Sequence, residues 1–227
     1  MFNSYAKDLV KIPDLLPTTY YTAQEKNVNC KGSYRGVSYD GSERSLVKTP
    51  KDEIIAEVCT RFYKVLLMEG SGILSDRGNG PMTVNWAGPS KFQVQRRCLL
   101  GHGVSPRDCL LSHHTIAADL KVHKVGDIIY IPDAKGIELP DGSIHDGNFI
   151  VLDTGGGFRG IGAQRVDLFI GLESDSHNVF KTKGFHHRKP IKAFKVCGAK
   201  REDSFQALKI KFGDLLSDRH ISKNCGE

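Results

Sequence analysis

The sequence predicts a mainly β protein, folded as a barrel or a sandwich of short strands. Glycine accounts for 24 of 227 residues, which is about 11% and exceeds the roughly 7% that is usual in proteins. Seven or eight short apolar segments are separated by turns of Gly, Pro, Asn and Asp, a pattern typical of closely spaced strands. One segment repeats its apolar residues at helical spacing. The length favours a single domain, or one domain with an appendage.

The N-terminal part of the chain is predicted to hold an irregular N-terminal extension followed by one helix. Residues 1–48 contain many Ser, Gly and Asn residues and little periodicity. The helix is predicted over 49–69, because Thr49 suits its N-cap, Pro50 its first position and Gly70 its end. The apolar residues at helical spacing are Ile54, Ile55, Val58, Phe62, Val65 and Leu66.

The rest of the chain predicts strands, from alternating residues and from apolar runs that end at turn residues. The predicted strands are 82–86, 92–96, 127–131, 148–152, 165–170, 191–196 and 207–211. Together with the helix they form one predicted domain over 49–227. No apolar stretch approaches the roughly 18 residues of a membrane-spanning helix. Residues 1–16 do not show the basic and apolar regions of a signal peptide, so none is predicted.

The charge of the chain indicates an anionic partner. Lys and Arg number 32 against 26 Asp and Glu, a formal net charge of +6. Residues 181–200 contain only basic charged residues and no acid. Nucleic acid would suit this charge, but stacking aromatics and the motifs of nucleic-acid-binding domains are missing from the sequence, so it is not expected as a partner. A cell-wall polymer with carboxylated peptide stems suits it equally, and a solvated surface stays open as the simpler explanation.

Cysteine and histidine patterns do not predict a metal site. The six cysteines form no C-x-x-C pair and permit up to three disulfides among 15 connectivities. Cys98 and Cys109 bracket a Gly- and Pro-containing loop and could form one of them, while buried free thiols remain the alternative. The histidine pairs His113-His114 and His186-His187 are adjacent in sequence, and neighbours in a strand point to opposite sides. We therefore expect no metal and no cofactor.

The densest motif begins at Asp153 and reads Asp-Thr-Gly-Gly-Gly-Phe-Arg-Gly. Its glycines satisfy G-x-G-x-x-G, but the helix that a dinucleotide site requires has no room before the next strand. Its Asp-Thr-Gly is the motif of aspartic proteases, which need two such carboxylates. Only one Asp-Thr-Gly is present, which excludes a monomeric protease and leaves a dimeric one as a minor alternative.

Residues 113–172 resemble the three-aspartate (3D) domain of the membrane-bound lytic murein transglycosylase A family. Asp119 ends an Ala-x-Asp motif, Asp153 opens an Asp-x-Gly-Gly turn, and Asp167 precedes an aromatic residue and a glycine. The resemblance implies a double-psi β-barrel. It also implies cleavage of the β-1,4 bond between N-acetylmuramic acid and N-acetylglucosamine, leaving a 1,6-anhydro end. The sequence departs from the family in an apparent insertion at 161–163 and in lacking an evident second domain.

The resemblance also implies roles for individual residues. Asp167 is the expected catalytic acid and base, and Asp153 its carboxylate neighbour. An aspartate within a strand opposes β propensity, which favours a functional role for Asp167. We expect repulsion between the two carboxylates to keep a proton on the pair. The expected substrate-binding residues are Asp119, Gly155, Gly156, Arg159, which stands where the family usually has Lys, and His177.

Two further expectations concern the conformation of the glycines in the turn and the polymer that the protein binds. Gly155 and Gly156 are expected to adopt positive φ, or to let a glycan approach the backbone closely. The expected partners are peptidoglycan glycan strands, which places the protein in the periplasm or outside the cell. Because a fold does not fix an activity, a non-catalytic peptidoglycan- or glycan-binding barrel stays open as the alternative.

Overall fold

The computed structural model describes residues 8–158, 164–172 and 178–220, and this part of the chain is mainly β. The strands are β1 (Leu9–Lys11), β2 (Leu16–Gln24), β3 (Gly32–Tyr34), β4 (Val37–Tyr39), β5 (Arg44–Lys48), β6 (Ile54–Cys59), β7 (Ser71–Leu74), β8 (Met82–Gly88), β9 (Lys91–Gln95), β10 (Thr115–Ala118), β11 (Ile128–Tyr130), β12 (Asn148–Asp153), β13 (Arg165–Leu172) and β14 (Phe194–Val196). The helices are α1 (Thr60–Glu69), α2 (Val179–Thr182) and α3 (Gly198–Phe212). The predicted β class is confirmed, while the strand pairings among these residues do not close a barrel.

The chain divides into two compact units. Unit 1 comprises the described residues of Met1–Tyr20, Gly103–Ile170 and His177–Glu227. Its strands lie in the order β1-β14-β11-β12-β10-β13, so β10 is flanked by β12, which runs parallel to it, and by β13, which runs antiparallel. Part of its core is formed by Leu111, Ile128, Ile150, Leu152, Val196, Phe205, Leu208 and Leu216.

Unit 2 comprises the described residues of Tyr21–His102 and Gly171–Ser176. Strands β2, β7, β8 and β9 are neighbours in that order, and β3-β4 and β5-β6 form separate hairpins. Helix α1 buries Phe62, Val65 and Leu66 in the core of this unit. The boundary predicted after residue 48 falls at the end of β5, within this unit.

The helix predicted over 49–69 is correct only in its second half. Helix α1 ends as expected at Gly70, which has a φ of 77° and donates its N–H to Leu66 O. Thr49 instead holds the turn of the β5-β6 hairpin, where its hydroxyl accepts the N–H of Glu53 at 3.2 Å. Threonine oxygens accept backbone N–H groups at helix starts and in turns alike, and Pro50 fits a turn as readily.

Two further predictions were wrong. The extension expected to be irregular forms strands β1 to β5. Arg44–Lys48, for example, pairs antiparallel with β6, although three of its five residues are polar. Residues 207–211 alternate in sequence and were predicted as a strand, but they lie in α3. That helix buries Arg201, Ser204, Phe205 and Leu208, which are spaced as one helical face requires.

Disulfides account for every cysteine in the described part of the chain. Cys30 and Cys59 are bonded with their Cα atoms 5.8 Å apart. Cys98, Cys109 and Cys197 are each disulfide-bonded as well, so the alternative of buried free thiols is wrong for these five residues. The pairing of Cys98 with Cys109 stays a prediction. Among the described residues, no helix is sufficiently long and apolar to cross a bilayer.

Candidate active site

The centre of the candidate site is Ala117, which lies on β10 between two aspartates. On β12 its register partner is Asp153, and on β13 its register partner is Asp167. Residues directly opposite each other in a sheet project to the same face. The two carboxyl groups therefore share one face of the unit 1 sheet, with the small side chain of Ala117 between them.

A β-bulge places Asp153 opposite Ala117. Ile116 pairs with Val151, but Ala117 pairs with Asp153, so the register shifts by one residue and passes over Leu152. A shift of one residue moves a strand's side chains to the opposite face, and bulges re-aim single side chains in this way. The bulge thus brings the aspartate, rather than Leu152, to the face that carries Asp167.

Asp167 is half-buried, and one of its carboxyl oxygens, Oδ1, is shielded from solvent. Its Oδ1 atom makes no hydrogen bond within the described part of the chain. Burial raises the pKa of Asp167 to about 6, and the positive charge of Arg165 acts weakly in the opposite direction. A carboxyl group in this state carries its proton at mildly acidic pH and can give it up near neutral pH.

Asp153 is half-buried as well, and its carboxylate accepts a hydrogen bond. Burial raises the pKa of Asp153 to about 6. The N–H of Thr154 donates to its Oδ1 at 2.8 Å. This bond and the Tyr20 hydroxyl lower the pKa of Asp153, while the nearby charge of Asp167 raises it. For both aspartates the main cause of the raised pKa is burial. For Asp153, burial therefore contributes more to the raised pKa than the charge of its neighbour does.

The turn after Asp153 is tied to the end of β10. The hydroxyl of Thr154 donates to Ala118 O at 2.8 Å. Gly156 and the following two residues form a single 3-10 turn, and neither Gly155 nor Gly156 has a positive φ. The conformational reason for these glycines was therefore predicted wrongly. A side chain at Gly156 would have no neighbour within 4 Å, whereas one at Gly155 would contact Phe158 at 3.3 Å.

Asp119 closes the turn that follows β10. It is only 8% exposed, and its Oδ1 accepts the N–H of Lys121 at 3.0 Å. Its backbone carbonyl accepts the N–H groups of Val122 and His123. Each of these bonds holds the chain where it leaves the strand. They give Asp119 a structural role beside the two aspartates that flank Ala117.

Sequence reasoning missed two residues near the pair. Tyr20, within the segment expected to be irregular, lies on β2 and packs its ring against Phe169 at 5.1 Å between centroids, while its hydroxyl lowers the pKa of Asp153. Arg165, at the start of β13, lies over the ring of Phe158 with its Cζ atom 5.8 Å from the centroid. The Tyr-Tyr pair of residues 20 and 21 was the available signal for the first.

All three aspartates fall within one family match. Residues 114–184 match the family model of the 3D domain. The chain contains a 3D domain. This confirms the resemblance on which the three aspartates were selected, and it places Asp119, Asp153 and Asp167 inside the matched segment.

Solved structures of similar fold come from bacterial lytic transglycosylases. The membrane-bound lytic murein transglycosylase of Agrobacterium tumefaciens has a TM-score of 0.50 at 13% identity, over 88% of this chain and 78% of that one. Escherichia coli MltA with bound chitohexaose has a TM-score of 0.49 at 15% identity, over 81% of this chain and 71% of that one. A search of curated protein sequences found no match.

Within the 3D domain, His114, His145 and Asp146 offer ligand atoms that all lie within 4.8 Å of one another. The Nδ1 atom of His145 accepts the N–H of Gly147 at 2.8 Å, and its Nε2 lies 2.7 Å from His113 O. Both nitrogens are thus used, in the tautomer with hydrogen on Nε2. The rings of His114 and His145 stack at 4.6 Å and 12°, so their lone pairs do not converge on one ion.

Two of the residues expected to bind substrate cannot be placed. Arg159 and His177 belong to the segment that the 3D family model covers, but both lie outside the described residues. The described part of the 3D domain therefore brings together Asp153 and Asp167, with Tyr20 from the N-terminal part of unit 1.

Proposed function

We propose that this protein is a lytic transglycosylase that acts on the glycan strands of peptidoglycan. It would cleave the β-1,4 bond between N-acetylmuramic acid and N-acetylglucosamine and leave a 1,6-anhydro end. The observation that carries the proposal is the pair of half-buried carboxyl groups beside Ala117, each with its pKa raised to about 6. The 3D domain and the fold shared with a lytic murein transglycosylase support it.

Asp167 is proposed as the single acid and base. Its protonated carboxyl group donates a proton to the glycosidic oxygen as the bond from the muramic acid C1 breaks. The 6-hydroxyl of the same sugar then attacks C1, and the carboxylate of Asp167 accepts the hydroxyl proton. A hydrolase would need a second carboxylate to act on water or on the sugar, whereas here the nucleophile belongs to the substrate.

Asp153 is proposed as the neighbour that sets the charge around Asp167. Its Oδ1 accepts the N–H of Thr154, and this bond orients the carboxylate within the turn. An ionised neighbour stabilises positive charge on the sugar ring as the bond breaks. Asp153 accepts a hydrogen bond, whereas Oδ1 of Asp167 accepts none from the described residues, and such different surroundings of two carboxyl groups are typical of acid–base sites.

The remaining parts of the site are proposed from the resemblance and from burial. Asp119, Gly155, Gly156, Arg159 and His177 are proposed as substrate-binding residues, and a double-psi β-barrel as the full architecture. The Cys30–Cys59 disulfide supports an oxidising location such as the periplasm or the cell exterior.

The test is to incubate purified murein sacculi with the protein and to determine the products by mass spectrometry. Anhydro-muropeptides would support the proposal, and reducing ends would indicate a hydrolase instead. Intact sacculi that sediment together with the protein would indicate a non-catalytic glycan-binding domain. The variant Asp167→Asn is the matched control, because an amide of nearly the same shape cannot exchange the proton.

A further inference from the structure

An exposed cationic turn follows α2 in unit 1, and the candidate site does not include it. We define the cationic turn as residues 181–192. Its exposed basic residues are Lys181, Lys183, His186, His187, Arg188, Lys189 and Lys192. The segment contains no acidic residue, and in the described part of the chain none of its Lys or Arg side chains forms a salt bridge. The turn thus presents positive charge that the rest of unit 1 does not neutralise.

The backbone that carries these charges is anchored. Phe180, Phe185 and Ile191 are at most 3% exposed, and the rings of Phe180 and Phe185 are 5.6 Å apart. Ile191 exchanges two backbone hydrogen bonds with Leu15, at 2.8 and 2.9 Å. Apolar anchors at both ends hold the basic side chains on one surface. These basic side chains therefore lose less conformational entropy on binding than they would in a mobile tail.

One segment of unit 1 links the cationic turn to the candidate site. Leu15 bonds to Ile191, and Thr19 Oγ1 accepts the side-chain amide of Asn178 at 2.8 Å. The next residue, Tyr20, packs its ring against Phe169, on the strand that carries Asp167. A strand rises about 3.3 Å per residue, so residues 15 to 20 span roughly 16 Å. The cationic turn therefore lies within reach of a polymer bound at the aspartates.

We propose that the cationic turn binds the carboxylates of the peptide stems on the glycan strand that is cleaved. This inference rests on the proposed function, because it takes peptidoglycan as the substrate. Peptide stems carry carboxylates at intervals along a strand, and dispersed lysines complement dispersed charges. The turn contains a single Arg, whereas phosphate recognition favours the bidentate fork of several Arg side chains. Its one Phe, Phe185, is buried, so the turn offers no large aromatic side chain on which nucleic-acid bases could stack.

The test compares two double variants with the same change in charge. Lys183→Gln with Lys189→Gln removes two charges from the cationic turn. Lys121→Gln with Lys135→Gln removes two exposed charges elsewhere in unit 1. Binding is measured by sedimentation with intact sacculi and with sacculi whose peptides have been removed by an amidase. All four residues are exposed, and the melting temperatures of the variants verify that they fold.

We expect binding to weaken only in the turn variant and only on intact sacculi. The turn variant binds intact sacculi about threefold to tenfold more weakly, the range of two exposed ion pairs, and the difference shrinks as salt is added. On peptide-free sacculi it binds like the wild type, and the control variant matches the wild type on both. Equal binding by both variants, or equal loss on peptide-free sacculi, would overturn the proposal. Loss of the effect when phosphate polymers are first stripped from the sacculi would also overturn it.

Cleavage is recorded in the same samples, and it separates the two proposals. If the wild type releases no products but its binding depends on the turn and on the peptides, the binding proposal is supported and the proposed transglycosylase function is wrong. If the wild type releases anhydro products and the turn variant binds and cleaves intact sacculi unchanged, the function stands and docking fails.

Discussion

Asp153 and Asp167 are both register partners of Ala117, so one small side chain separates two half-buried carboxyl groups. Their pKa values are raised to about 6 mainly by loss of solvent, and the charge of Asp167 is a minor cause for Asp153 alone. Loss of solvent thus keeps Asp167 protonated at mildly acidic pH, because its ionised form would be poorly solvated. Within the described ranges, the two carboxyl groups differ because Oδ1 of Asp153 accepts the N–H of Thr154, while Oδ1 of Asp167 accepts no hydrogen bond.

The variant Asp167→Asn is expected to fold normally and to lose activity on murein. General acid–base catalysis contributes about 10²- to 10⁴-fold, and an amide in place of the carboxyl group removes it. Release of anhydro-muropeptides over time measures the effect. The exposed Asp133, changed to Asn, is the control and keeps full activity. Turnover by Asp167→Asn above about a tenth of wild type would remove Asp167 from this role, since it lies far outside that range.

The same variant is expected to be more stable than the wild type at neutral pH. Because the folded pKa of Asp167 is raised from 3.8 to about 6, its stabilising contribution is full below pH 3.8 and is lost as the pH rises through 6. Asn carries no charge to bury, so Asp167→Asn gains about 1–3 kcal/mol above pH 7. The gain disappears near pH 4. Urea unfolding at pH 4 and pH 7.5 measures both, and an equal gain at the two values would contradict the raised pKa.

The aspartates could be selected from the sequence because each lies beside a recognisable feature. Asp153 opens a glycine-rich turn, and Asp167 interrupts an apolar strand. Their relative placement could not be predicted, because it depends on the bulge between Ile116 and Ala117, and a one-residue register shift leaves no mark in the pattern of β12. The role of Tyr20 was hidden for the same kind of reason, since only strand pairing brings it to the site.

Local patterns also misled where two structures use the same residues. Thr49 followed by Pro50 suits a helix start and a hairpin turn equally. In the structure the Thr49 hydroxyl accepts the N–H of Glu53 within the hairpin turn. The alternation in 207–211 suggested a strand, yet Leu208 is buried in α3 while Ile210 is 86% exposed. Packing of the helix against its unit, rather than local alternation, determined the outcome.

The rate of cleavage is expected to be highest at mildly acidic pH and to fall as Asp167 ionises near pH 6. The variant Arg165→Gln removes a cation that favours the ionised form, so the pKa of Asp167 rises and the alkaline limb moves to higher pH. Asp153→Asn moves it only slightly, because burial is the main cause. The pH–rate profiles of the three proteins on one murein preparation measure these shifts. A large shift in Asp153→Asn alone would show that repulsion dominates.

Substitutions at two glycines are expected to separate substrate contact from folding. A Cβ at Gly103 would lie 2.1 Å from Leu152 O, whereas a Cβ at Gly156 has open space around it. Gly103→Val therefore destabilises unit 1 by about 2 kcal/mol or more. Gly156→Val keeps the melting temperature and raises KM if a glycan lies against this turn. Unchanged kinetics in a stable Gly156→Val protein would remove Gly156 from the substrate-binding residues.

The buried histidines are expected to make the fold sensitive to acid. Burial lowers the pKa of His114 from 6.5 to about 3, so the unfolded chain takes up a proton that the folded protein excludes. Stability is therefore complete above pH 6.5 and is lost as the pH falls towards 3, at about 1.4 kcal/mol per pH unit for one such proton. Asp153 and Asp167 change stability in the opposite sense, so the measurement uses the Asp153→Asn/Asp167→Asn background. Adding His114→Phe keeps the stacking against His145 and reduces the dependence of the unfolding free energy on pH by about one proton. The exposed His187, changed to Gln, controls for the loss of a histidine, and an unchanged slope with His114→Phe would show that His114 accepts a proton in the folded state.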